Sequence, residues 1–74
     1  MKQYKVLSGE YEINVTENSI EGAAGLAIRL HDFKKETKRL GIFTYIESLE
    51  NSDDNGYLST ENLINEHSKN KFNR

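Results

Sequence analysis

Residues 51–62 read NSDDNGYLSTEN, in which Asn51, Asp53 and Asn55 set side-chain oxygens at alternate positions ahead of Gly56. Alternate oxygens followed by a glycine are how a loop wraps a calcium ion. Leu58 and Ser59 also fit the eighth and ninth positions of such a loop, but the twelfth is Asn62, with Glu61 one place too early for a bidentate ligand. A polar hairpin turn through Asn55 and Gly56, followed by a helix N-cap, accounts for the same residues. That is the reading adopted, and no metal or cofactor is expected. His31 and His67 are the only histidines. Neither lies in a nucleophile or metal-ligand signature, and the chain has no glycine-rich phosphate loop. Carboxylates are plentiful, but nothing holds a pair of them in a dry site. The sequence predicts a binder rather than an enzyme, with no catalytic residues.

Charge gives that binding its direction. Arg29, Lys34, Lys35, Lys38 and Arg39 crowd one stretch against Asp32 and Glu36. From 40 to 68 there is no lysine or arginine, while Glu47, Glu50, Asp53, Asp54, Glu61 and Glu66 accumulate. Lys69, Lys71 and Arg74 close the chain, whose net charge is −2. Segregated charge steers a partner, and two partners fit. A protein would be met through Glu47, Glu50, Asp53, Asp54 and Glu61, through Lys34, Lys35, Lys38 and Arg39, or through both. The acidic half could also occupy a basic groove on another protein in place of nucleic acid, although dedicated mimics are far more acidic. DNA or RNA would be met by the same cations with Phe33, aided by Lys69, Lys71 and Phe72. Glu61 and Glu66 would repel phosphate, so nucleic acid is the alternative. Cations beside a helix C-terminus also need no partner, because the macrodipole favours them there.

The elements that must carry these groups fit one small domain. Seventy-four residues without cysteine give one modest core and no disulfide staples. The chain begins without an apolar signal segment and has no run near the ~18 apolar residues of a membrane span. A cytoplasmic protein with no membrane contact is expected.

Residues 19–40 organise the rest. Ile20, Ala23, Ala24, Ala27, Leu30 and Phe33 recur at helical spacing with Leu26 beside them, and Glu21, Arg29, Asp32 and Glu36 oppose them. Asn18 or Ser19 caps this helix. It ends near Phe33 or runs on to about Arg39. Before it, 2–16 read as a hairpin about a Ser8-Gly9 turn, with Tyr4 opposite Ile13, Val6 opposite Tyr11 and Lys5 opposite Glu12. Residues 42–50 fit both periods, and their β-branched and aromatic density favours a strand. Tyr57 and Leu58 begin a return strand. Ser59 or Thr60 caps a last short helix anchored by Leu63 and Ile64. The sum is an α+β fold, β-β-α-β-β-α, with a small antiparallel sheet packed on one main helix. It spans 1–67, and 68–74 form a flexible basic tail. One sheet face is left uncovered, where Phe43, Tyr45 or Leu49 could support a homodimer.

In style the chain resembles small accessory proteins of phages and mobile elements. The likeness lies in the hairpin, the capped Ser-Ile-Glu-Gly-Ala-Ala helix, the stretch ending in Tyr57-Leu58-Ser59-Thr60-Glu61, and a composition rich in Asn, Lys and Ile without Pro, Cys or Trp. It implies a binder that inhibits a host or defence enzyme such as a CRISPR nuclease, and transfers no functional residue.

Overall fold

The computed structural model describes residues 1–72, with side chains described through Lys69. The order is β-β-α-β-β-α: β1 (Lys2–Ser8), β2 (Tyr11–Glu17), α1 (Ile20–Phe33), β3 (Phe43–Ser48), β4 (Asn55–Ser59) and α2 (Thr60–Phe72). The strands form one antiparallel sheet in the order β2-β1-β3-β4. This is the expected α+β fold. The sheet packs on α1, and α2 lies on the same side against α1 and β4.

The first hairpin turns one residue later than its sequence suggests. Gly9 and Glu10 are the turn, so Ser8 pairs with Tyr11, Val6 with Ile13 and Tyr4 with Val15. Gly9 takes φ 60°, which suits glycine at the first central position of a two-residue hairpin. A Ser8-Gly9 turn would put serine there instead. The register moves by two residues, so each side chain keeps its face. Lys5 meets Asn14 on one side and Glu47 on the other, rather than Glu12.

Ser19 caps α1, its Oγ accepting from the Gly22 N–H at 3.0 Å. Ala23, Ala24, Ala27 and Ile28 are buried, whereas Phe33 is 82% exposed. Two three-residue steps from Ala27 carry Phe33 about 120° off the core-facing line, so the expected stripe runs off the sheet there. The helix stops at Phe33, and the chain turns through Lys35 at φ 51°. Residues 34–42 are then tied down. His31 Nε2 donates to the Lys38 carbonyl at 2.8 Å, and the Glu10 N–H to the Arg39 carbonyl at 2.9 Å. A Cβ on Gly9 would lie 2.7 Å from the Arg39 oxygen and the Gly41 nitrogen, so backbone meets backbone at this crossing.

Residues 42–50 do contain a strand, β3, with Thr44, Ile46 and Ser48 turned inward. Asn55 and Gly56 are not its turn. They pair with Glu47 and Ile46 as the start of β4, and the turn is 49–54. That segment satisfies its own backbone. Ser48 Oγ accepts from the N–H groups of Glu50 and Asn51, Asn51 Oδ1 accepts from Asp53, and Asn55 Nδ2 donates to the Ser52 carbonyl. At the far end of β4, Ser59 Oγ accepts from the Asn62 N–H and so caps α2. Of the expected tail at 68–74, the backbone to Phe72 belongs to α2, and residues 73 and 74 lie outside the described residues.

The core joins Tyr4, Val6, Tyr11, Val15 and Ile46 of the sheet to the three alanines of α1. Alanine at the contact lets the helix sit close to the sheet, near enough for the Tyr11 hydroxyl to donate to the Ala27 carbonyl at 3.2 Å.

Candidate functional site

Alternation along the strands decides what the uncovered face displays. With Tyr4, Val6, Thr44, Ile46 and Leu58 turned towards the helices, Leu7, Phe43, Tyr45 and Tyr57 stand on the other side. Register places Leu7 beside Tyr45 and Tyr45 beside Tyr57, one apolar row across three strands. The two tyrosine rings lie 4.8 Å apart at a 44° tilt. Tyr57 remains 70% exposed and Phe43 63%, and Ile42, one residue before β3, is 83% exposed. Single exposed apolar residues mean little, whereas a contiguous group of this kind on a small domain is the candidate site of this molecule. Burial, followed by the nearby Glu47 and Tyr57, raises the Tyr45 pKa above its ordinary 10, so this phenol stays neutral at physiological pH.

The charged residues predicted from sequence do not form one patch. Glu50, Asp53 and Asp54 come together in the 49–54 turn, beside the start of β1, where the Leu49 N–H donates to the Gln3 carbonyl at 2.9 Å. Glu47 lies on the open sheet face, with Lys5 as its cross-strand neighbour. Glu61 is in the first turn of α2, at the opposite end of β4. Lys34, Lys35, Lys38 and Arg39 follow α1 at that same end, next to the β1–β2 turn. The molecule is therefore acidic at one end of its strands and carries its basic loop at the other, with the aromatic row between them.

Two of the carboxylates have structural work. Glu50 Oε2 accepts from the Gln3 N–H at 3.0 Å, and Asp54 Oδ2 accepts from the hydroxyl of buried Tyr4 at 3.1 Å. Burial and then that Asp54 bond raise the Tyr4 pKa. The Asp53 backbone is bonded within the turn, and its side chain is exposed. The stretch spaced like a calcium loop is divided between this turn and β4, and Asn51 Oδ1 accepts from the Asp53 N–H while Asn55 Nδ2 donates to the Ser52 carbonyl. Among the described residues no group of three or more His, Cys, Asp or Glu is placed to hold a metal. His67 Nε2 instead donates to Asp32 Oδ2 at 2.9 Å, and His31 stands edge-on to Tyr11. Between α1 and α2 lies a half-open groove of about 470 Å³ over Gly25, Leu58 and Leu63.

Phe43 and Tyr45 were legible as residues of an uncovered face. Tyr57 and Leu7 were not, because only strand order brings them into the same row. No protein-family model, curated protein or solved structure matches the chain. No helix among the described residues is long and apolar enough to cross a membrane.

Proposed function

We propose that this protein is a non-enzymatic protein-binding module, an inhibitor or adaptor that docks through the open face of its sheet. The observation that carries this reading is the row Leu7–Tyr45–Tyr57 with Phe43 beside it, covered by neither helix. Fully covering a phenylalanine contributes about 1.5–3 kcal/mol, or one to two powers of ten in Kd. Glu12 and Glu47 border the row, and the acidic 49–54 turn lies beyond it. The partner surface that fits is an apolar pocket flanked by cations, as nucleic-acid-processing proteins of host or defence systems present. A cytoplasmic setting suits such a partner.

The test is capture by tagged protein from a host lysate split into nuclease-treated and untreated halves. A protein retained after nuclease treatment and lost with Asp53→Lys supports an acid-guided protein interface. Retention by Asp53→Lys at unchanged affinity removes the acidic turn from that interface.

One observation favours a second reading. Phe43 lies at the end of the sheet that carries Lys34, Lys35, Lys38 and Arg39, so exposed rings and cations adjoin as they do in single-strand binders. A DNA- or RNA-binding regulator would bind oligonucleotide with an affinity falling steeply in salt. Absent or salt-insensitive binding removes this reading.

A further inference from the structure

We infer that a second copy of this chain pairs with β2 edge to edge, joining two sheets into one eight-stranded sheet through an antiparallel β2–β2 seam centred on Asn14. β2 is an outer strand of the sheet. Ser8 and Tyr11 flank a two-residue turn and so form a hydrogen-bonded pair. Alternation from there turns the N–H and C=O of Glu12, Asn14 and Thr16 away from β1. Among the described residues no other strand takes them up.

Natural sheets guard such edges with charged side chains, above all lysine, and with proline, bulges or very short strands. β2 has no lysine, proline or bulge, and its two charges, Glu12 and Glu17, flank an uncharged centre: its seven residues are Tyr-Glu-Ile-Asn-Val-Thr-Glu, and its pairing with β1 is unbroken from Glu17 to Tyr11. The other outer strand, β4, has five residues and runs directly into α2. The sequence of β2 also suits itself. With Asn14 facing Asn14 of the second copy, Glu12 faces Thr16, Glu17 faces Tyr11 and Ile13 faces Val15, so no two like charges stand opposite each other. All the outward backbone groups are used in this register.

The helix side offers a matching apolar shelf. Gly25, Ile28 and Asp32 border α2, which leaves Leu26 and Leu30 on the flank of α1 over β2. Both are only half-buried, as is Ile13 beneath them. In the pair, these residues from each copy meet over the seam. The aromatic faces on the other side then lie in one plane, doubling the surface described above, although the seam does not depend on that surface binding anything.

Sedimentation equilibrium of the purified full chain over a wide concentration range tests this. The expected mass rises from 8.5 kDa to twice that value. Asn14→Lys and Asn14→Glu place like charges at the two-fold axis, so each alone should dimerise more weakly than wild type. An equimolar mixture of the two should re-form a heterodimer. Asn14→Pro deletes an outward N–H that β1 does not use, and should give monomer with an unchanged circular dichroism spectrum. A wild-type chain that stays at 8.5 kDa throughout, single variants that dimerise as tightly as wild type, or a mixture that does not associate would each overturn the proposal.

Discussion

The hydroxyls of Thr44 and Thr60 stand 2.8 Å apart, both on buried residues, and join the middle of the sheet to the first residue of α2. Ser8 completes the cluster. Its Oγ accepts from Thr44 at 3.1 Å and from the Gly41 N–H at 3.0 Å. Since Thr44 spends its proton on Ser8, Thr60 must donate to Thr44. Strand β1, the 34–42 segment, β3 and α2 therefore meet on a few hydroxyl oxygens, and the basic loop and Phe43 are held at the same place.

Thr44→Val keeps the shape and removes the shared acceptor and donor. A buried polar group left unpaired costs about 1–3 kcal/mol. Urea unfolding should show that loss, with Tm falling by roughly 4–8 °C per kcal/mol. An unchanged midpoint would mean that the cluster contributes nothing to stability.

The glycines divide into two kinds. At Gly9 a Cβ would meet backbone atoms at 2.7 Å with φ already positive, whereas at Gly25 it would meet nothing within 4 Å. Gly9→Ala should destabilise the fold, and Gly25→Ala should stabilise α1 by about 0.5–1 kcal/mol. Thermal melts of the two variants moving in opposite directions would confirm both placements.

Much of this architecture was legible in the sequence because it is local. Asn18 or Ser19 ahead of the apolar spacing marked the start of α1, and alternation marked the inward residues of β1, β2 and β3. The hairpin register erred because Ser-Gly reads as a turn pair, while the positive φ requires glycine to come first; a shift of two residues left the faces intact. Strand order left no local mark. That β1 lies between β2 and β3, and that Tyr57 therefore joins Tyr45 and Leu7, follows from pairings distant in sequence. Charge position is non-local for the same reason. Glu61 and Asp53 look adjacent in the acidic half, but β4 separates them to opposite ends of the sheet.

Asp53 and Asp54 should separate on substitution. Asp54→Ala leaves the buried Tyr4 hydroxyl without its acceptor and should lower Tm. Asp53→Lys reverses a charge on an exposed side chain and should leave Tm unchanged. Calorimetry of both variants checks the assignment and identifies Asp53 as the clean probe of binding.

Alkaline pH should unfold the protein through its tyrosines. Burial raises the pKa of Tyr4, Tyr11 and Tyr45 above the ordinary value near 10, aided by Asp54, Glu36 and Glu47 respectively. A raised folded-state pKa adds stability that is fully present below about pH 10 and lost as pH climbs through the folded values. The phenolate absorbance of Tyr4 and Tyr11, isolated in a Tyr45→Phe/Tyr57→Phe variant, should therefore lag behind that of free tyrosine and rise together with the loss of circular dichroism. Early, non-cooperative ionisation of Tyr4 and Tyr11 would contradict their burial.

Docking through the open sheet face is tested most directly by comparing wild type with Phe43→Ser/Tyr57→Ser in capture from nuclease-treated lysate. Both side chains are exposed, so the double variant should fold as wild type does by circular dichroism. The double variant should lose the protein that wild type retains. Undiminished capture by the folded double variant would contradict docking through this face.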